Sequence, residues 1–277
     1  MSAELVLGAA LRHWGARAVP FSDQLGPLPW LSPSWEQALR LLHQTAALRS
    51  VMLLTGDNGV GKSTLLGHFV GSLESKAYLP LLITQATLSA TGLLAVLLSK
   101  LGQKSSQFRS RNLARLEESL KELGRVIPVL VLDDAQQYPP GALEEIRLLS
   151  GLNLTRQPIF ALILMGDLYL QETLRLQHHR ALYSRIAAFS QLSALESSQI
   201  QPYLIHGLRQ VGLERPCLAP AAVDLLASAS AGIPRLLNLL ARAAWIAAAQ
   251  EQANSIEPEH VQTALQLVPA AADKLRP

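Results

Sequence analysis

Short apolar runs alternating with amphipathic stretches dominate the first two thirds of the chain. Residues 51–55, 79–84, 128–132 and 159–165 form nearly continuous apolar runs of strand length, the pattern of parallel strands buried on both faces. Helically periodic stretches separate them, so the order predicts a sheet covered by helices on either side. Upstream, 35–48 reads as a helix: Leu39, Leu42 and His43 follow Trp35 at helical spacing, and Pro33 and Ser34 are entry signals. Before it, Pro20, Pro27, Pro29 and Pro33 favour an irregular lead-in. After about Leu195 the strand-like runs cease. Helical patterns remain at 198–211, 220–230, 234–250 and 258–267. The expected organisation is a lead-in and helix over 1–50, an α/β domain over 51–195 and a helical domain over 196–277.

The 277 residues are 49% apolar and 16% charged, enough to bury one large core or two modest ones and too apolar for a disordered chain. Charge is nearly balanced, 24 Lys and Arg against 21 Asp and Glu, so a basic surface would have to be local. The single cysteine, Cys217, excludes an intrachain disulfide and a cysteine-rich zinc site, and reads as a buried apolar residue in a reducing compartment. No apolar run approaches the roughly 18–20 residues that span a membrane. The best stretch, 236–249, contains Asn238 and Arg242. The apolar residues 5–11 follow Glu4, where a secretory signal would carry positive charge. A soluble cytoplasmic protein without a membrane partner is expected. His178 and His179 lack the ligand spacing of a metal site and read as surface residues.

The first apolar run leads directly into GDNGVGKS, comprising Gly56, Asp57, Asn58, Gly59, Val60, Gly61, Lys62 and Ser63, and then into Thr64, Leu65, Leu66 and Phe69 at helical spacing. A strand, a glycine loop and a helix start in this order let backbone N–H groups and the helix dipole face the phosphates of ATP. Lys62 is expected to reach the β and γ phosphates and the Ser63 hydroxyl to ligate Mg²⁺. A second site is expected where Val129, Leu130, Val131 and Leu132 end in Asp133 and Asp134, because two acids fit a buried strand only at its exposed C-terminal end. There Asp133 would hold Mg²⁺ and Asp134 would orient or deprotonate the attacking water. For either acid alone, capping of the next helix is the alternative.

The motifs together resemble the ExeA-like AAA+ ATPases, a family that includes ATPases of the general secretion pathway and type IV pilus systems and the ATP-binding proteins of transposons of the TniB and TnsC kind. The resemblance rests on Pro20-Phe21, GDNGVGKS, VLVLDDAQQ, LEEIRLLSGLN over 143–153, ALILMGDLYL over 161–170, Arg185-Ile186 and GIPRLLN over 232–238. It implies an AAA+ P-loop NTPase, α/β in class, with a parallel five-stranded sheet between helices and a C-terminal helical lid domain. It also implies roles: Arg235 as the lid arginine that senses the γ phosphate, Asp167 at the sensor position ending the fourth strand, and Arg185 as the arginine finger offered to a neighbour in a ring or helical homo-oligomer. Two positions depart from the pattern. Asp134 stands where the family usually has Glu, one methylene longer, so slow hydrolysis is expected. Asp167 stands where the family often has Gln, and related ATPases Asn.

The stretch LRLQHHRALYSRI over 174–186 resembles the transposon-encoded branch. Secretion members often carry a membrane segment and a cell-wall-binding region beyond the lid, which this sequence is expected to lack. A DNA-binding member needs a local basic surface, and 100–125 offers Lys100, Lys104, Arg109, Arg111, Arg115, Lys121 and Arg125. The first, second, third and fourth of these surround a loop over 103–110 and could neutralise phosphates without reading sequence. A solvated helix face is the competing reading, since Leu113, Leu116, Leu120 and Leu123 line one packed side. The leading expectation is an ATP-dependent regulator of transposition that assembles on duplex DNA and directs a transposase or another transposon-encoded protein. A secretion or pilus ATPase, and a weakly hydrolysing nucleotide-dependent scaffold, are the alternatives.

Overall fold

The computed structural model describes residues 3–22, 30–85, 87–151, 158–215 and 217–268. Pro27, Pro29, Leu152 and Asn153 of the sequence reading lie outside the described residues. The chain divides into two compact units, one comprising 33–58 and 65–192, the other 1–32, 59–64 and 193–277.

The first unit is built on strands β1 (Val51–Gly56), β2 (Tyr78–Ile83), β3 (Ile127–Leu132), β4 (Ala161–Gly166) and β5 (Ile186–Leu192). They form one parallel sheet in the order β2-β3-β4-β1-β5. In the three central strands both faces are buried, which is why their sequences read as continuous apolar runs. Val51, Leu53, Leu130, Leu132, Leu162 and Leu164 face a core shared with α4 (Ala90–Lys100), α5 (Arg109–Glu122), α6 (Pro140–Leu149), α7 (Tyr169–Arg175) and α8 (Arg180–Tyr183). The alternating Met52, Leu54, Val129, Val131, Ile163 and Met165 are equally buried. Helix α2 (Pro33–Leu48) packs on β1, β4 and β5. It also meets α3 (Lys62–Ser72), where the His43 and Phe69 rings lie edge to face at 5.1 Å. The edge strand β5, IAAFSQL, alternates in exposure, and its apolar residues 186–189 directly follow a helical stretch, so its sequence pattern does not set it apart as a strand.

The second unit is helical: α1 (Ala3–Trp14), α9 (Ser197–Gln210), α10 (Pro220–Ser230), α11 (Pro234–Gln250) and α12 (Pro258–Leu267). The last three start at proline in the first helical position, where the missing N–H costs nothing. Helix α1 corrects the expectation of an irregular lead-in. Trp14 stacks on Trp245 at 6.3 Å and its indole N–H donates to the Trp245 carbonyl at 3.1 Å, while Ala10 and Phe21 enter the core of this unit. Burying these groups outweighs the local signal of the prolines that follow. Cys217 lies in the same core, and burial pushes its thiol up from the usual range. Among the described residues no helix is long and apolar enough to cross a membrane.

Candidate functional site

Strand β1 ends at Gly56 and the chain turns through Asp57–Asn58–Gly59–Val60–Gly61 before α3 begins at Lys62. Gly59 and Gly61 have φ of +88° and +99°, a left-handed backbone that a residue with Cβ adopts at a cost of roughly 1–2 kcal/mol. At Gly59 an added Cβ would also lie 3.0 Å from Arg235 Cβ and 3.1 Å from Ile233 Cγ2. The Gly59 carbonyl accepts a hydrogen bond from the Arg235 backbone N–H at 3.1 Å, so the start of α11 is docked on the loop while the Arg235 side chain stays exposed. Val60 is buried and anchors the loop, Lys62 is 8% exposed, and Ser63 is exposed. The first turn of α3, which includes Ser63 and Thr64, carries N–H groups that have no partner within the helix.

The acids follow β3 at the same edge of the sheet from which β1 enters the loop, since all strands run parallel. Asp133 extends the pairing with β2 by donating its N–H to the Ile83 carbonyl at 3.0 Å, and its Oδ1 accepts from the Asp134 N–H at 2.8 Å. Asp134 is itself left-handed, with φ 47° and ψ 43°, and opens the short 3₁₀ turn Ala135–Gln137. Its Oδ1 accepts from Gln136 Nε2 at 3.3 Å, and Gln136 Oε1 in turn accepts from the Asp167 N–H at 3.3 Å. Behind them Tyr138 is buried with no hydrogen-bond partner for its hydroxyl, and burial together with the nearby Asp133 and Asp134 charges pushes that hydroxyl up to about 12.

Asp167 stands directly after β4, as expected. Its Oδ1 accepts from the Leu170 N–H at 3.2 Å, so one carboxylate oxygen caps the start of α7. Arg185 precedes β5, the strand paired with β1, at the N-terminal end of the parallel strands, about 23 Å from their C-terminal end along a strand of seven residues. It is therefore remote from the end of β1 in its own chain. Its guanidinium donates to the Arg147 carbonyl at 3.0 Å and to Ser150 Oγ at 2.7 Å, at the C-terminus of α6, and lines an open cleft with Arg49, Ser50 and Phe160.

Two sequence readings need correction. Arg109 is not a free surface cation. It forms a two-pronged ion pair with Glu145, Nε to Oε2 at 2.9 Å and Nη2 to Oε1 at 3.0 Å, and the Glu145 side chain is only 3% exposed. The partner lies 36 residues away on α6, beyond the reach of local periodicity, although an acid on the same helix face as the buried Ala142 and Leu149 is the signal that was present. His179 is buried, not a surface residue, and burial holds its imidazole below the usual range. His178 is exposed. Lys100, Lys104 and Arg111 are exposed around the loop before α5, with the Arg111 guanidinium 4.8 Å from the centre of the exposed Phe108 ring. Gln136, whose amide links the ends of β3 and β4, stands in a motif but was given no role by sequence reasoning, although an amide two positions after the acids was there to be read.

The chain is 28% identical over 250 residues to General secretion pathway protein A of Aeromonas hydrophila, covering 86% of this chain and 44% of that protein. It is 32% identical over 116 residues to DNA repair protein RadA of Rickettsia bellii (strain RML369-C), covering 39% of this chain and 26% of that one. The chain thus spans less than half the length of these curated relatives. Among solved structures, Cdc6p from Pyrobaculum aerophilum superposes with a TM-score of 0.72 at 21% identity over 90% of this chain and 70% of that one. The Aeropyrum pernix ORC1 protein, solved in complex with DNA, gives 0.63 at 20% identity over 89% and 66%. At such identities the likeness is one of fold: an α/β unit with a parallel five-stranded sheet and a helical C-terminal region. A family model described as the AAA domain matches residues 46–174. The matched span contains the strand that feeds the glycine loop, the loop itself and the strand that ends in the acid pair, so it is over 46–174 that the chain is similar to AAA domains.

Proposed function

We propose that the chain binds ATP with Mg²⁺ and hydrolyses it slowly, in an assembly of several copies. The observation that carries the reading is the loop with two left-handed glycines that joins β1 to α3, together with β3 of the same parallel sheet, separated from β1 by β4 and ending in two acids. Backbone N–H groups from Gly59 to Thr64 and the Lys62 ammonium would hold the phosphates. Among the described residues no three His, Cys, Asp or Glu side chains converge on a metal, so the cation would be the kind bound by one carboxylate, one hydroxyl and the substrate's own phosphates. Ser63 and Asp133 are those donors; bound Mg²⁺ would neutralise charge on the phosphate oxygens. Asp134 would orient or deprotonate the water, Arg235 would sense the γ phosphate from the start of α11, and Asp167 would keep its remaining carboxylate oxygen for the sensor role. Arg185, remote from its own β1, would serve a second copy. In functional terms 51–195 is the ATPase domain, 196–277 the lid and 1–50 the lead-in. Calorimetry of Lys62→Ala tests the central claim: the variant folds but loses ATP affinity. Unchanged affinity refutes it.

The finer reading is a cytoplasmic regulator of transposition that assembles on duplex DNA and directs a transposase. It is supported by the exposed Lys100, Lys104 and Arg111 and by a structural relative that was solved with DNA. A secretion or pilus role is the second reading, favoured by the similarity to General secretion pathway protein A. Duplex binding by fluorescence anisotropy, with and without a non-hydrolysable ATP analogue, separates them: nucleotide-strengthened binding supports the DNA role, and absence of binding at low salt supports the secretion role.

A further inference from the structure

The end of β4 carries Asp167, one oxygen of whose carboxylate accepts from the Leu170 N–H. A neutral amide occupies the place between the ends of β3 and β4, supplied from the turn after β3. Gln136 Nε2 donates to Asp134 Oδ1 and Gln136 Oε1 accepts from the Asp167 N–H, both at 3.3 Å. The packing around this amide is tight. A Cβ built on Gly166 would overlap Gln136 Oε1 and come within 2.8 Å of Leu170 Cδ2, so a larger residue at the last position of β4 would displace the amide from this place. The donor end is aimed at a carboxylate whose backbone is left-handed, a conformation that surrounding contacts must hold in place.

We propose that Gln136 is a positioning residue for ATP hydrolysis, its side-chain amide fixing the Asp134 carboxylate against the end of β4. The proposal rests on the ATPase reading above. An ionised Asp134 accepts the Nε2–H and keeps its second oxygen for the water, while the Oε1 end ties the carboxylate's orientation to β4, so movement of either strand end shifts the general base. Small displacements of such a group cost on the order of a hundredfold in rate.

The test uses the full chain with Mg²⁺ and ATP, measuring affinity by calorimetry, steady-state turnover across pH and the melting temperature. Gln136→Ala is expected to bind ATP within about twofold of wild type and to lose about ten- to a hundredfold in kcat with little change in KM. Gln136→Glu keeps the shape and supplies a donor to Asp134 only while its new carboxyl is protonated. Its turnover relative to wild type should therefore be highest in acid and fall as pH rises. Wild-type turnover in Gln136→Ala overturns the proposal. So does an equal loss in both variants at every pH, the result of a merely structural role. A wild-type chain that binds but never turns over ATP, alone or with duplex DNA, overturns the ATPase reading and this role with it.

Discussion

Asp133 and Asp134 are adjacent in sequence yet differ in backbone and in partners, and the difference predicts different phenotypes. Asp133 continues the pairing of β3 with β2 and its carboxylate is braced by the next N–H, whereas Asp134 turns left-handed and leans on Gln136. Asp134→Ala should keep ATP affinity and lose about 10²–10⁴ in turnover, the usual contribution of a general base. Asp133→Ala should weaken Mg²⁺-dependent binding as well, which calorimetry with and without the metal resolves. A pH effect belongs to the same scale. The buried His179 stays neutral in the folded chain below the ordinary 6.5, while the unfolded chain takes up a proton there. Its contribution is intact above that value and is lost as pH falls through it toward the lower folded value. His179→Asn should flatten the dependence of the melting temperature on pH below 6.5, with neutral-pH unfolding curves as the control.

Helix α6 shows how an element can be held by one buried charge. Glu145 is on its inner face, and the half-exposed Arg109 at the first position of α5 neutralises it with two hydrogen bonds. Removing the arginine leaves a carboxylate with almost no access to water. Loss of one partner of a fully buried pair costs 3–5 kcal/mol, and the exposure of the guanidinium reduces this to an expected 1–3 kcal/mol for Arg109→Ala. Denaturant unfolding measures it, and Arg109→Ala/Glu145→Leu should recover part of the loss because it leaves no buried charge unpaired. Helix α11 illustrates a backbone constraint instead. Gly232 precedes it with φ of +71° and a Cβ there would overlap the Leu195 carbonyl, whose own N–H donates to the Gly232 oxygen at 2.8 Å. Gly232→Ala is therefore expected to destabilise the helical unit by at least about 2 kcal/mol, read by the same unfolding curves.

For the molecule as a whole, the proposed assembly and the proposed DNA binding predict different outcomes and can be tested separately. Arg185 lies at the N-terminal end of β5, the opposite end of the strands from the C-terminus of β1, so Arg185→Ala should bind ATP normally and hydrolyse poorly. Mixing it with Lys62→Ala, which supplies an intact arginine, should restore turnover; no restoration removes the finger assignment. On DNA, each phosphate contact that is lost should reduce the slope of log affinity against log salt by about 0.9. Replacing Lys100, Lys104 or Arg111 is expected to flatten that slope one step at a time. Arg109→Ala should leave it unchanged, because its guanidinium already belongs to Glu145.

The amino-acid sequence by itself determined the features that depend on local periodicity and on what single residues permit. Central strands buried on both faces must be apolar throughout, a loop that curls around phosphates needs Gly59 and Gly61, and a proline that opens a helix marks its start, as at Pro220, Pro234 and Pro258. Helix α1 was partly legible, since Glu4 begins it and Arg12 and His13 end it in the sense the helix dipole favours. Only its packing on α11, however, makes so short a segment stable. The edge strand β5 needed the tertiary structure because its short apolar stretch 186–189 does not tell strand from helix, and the pairing with β1 defines it. The same holds for the partners of Arg109, the burial of His179 and the bridge that Gln136 makes between two strand ends. Those depend on residues brought together from distant parts of the chain, and a pattern that repeats every two or 3.6 residues carries no record of what lies across a fold.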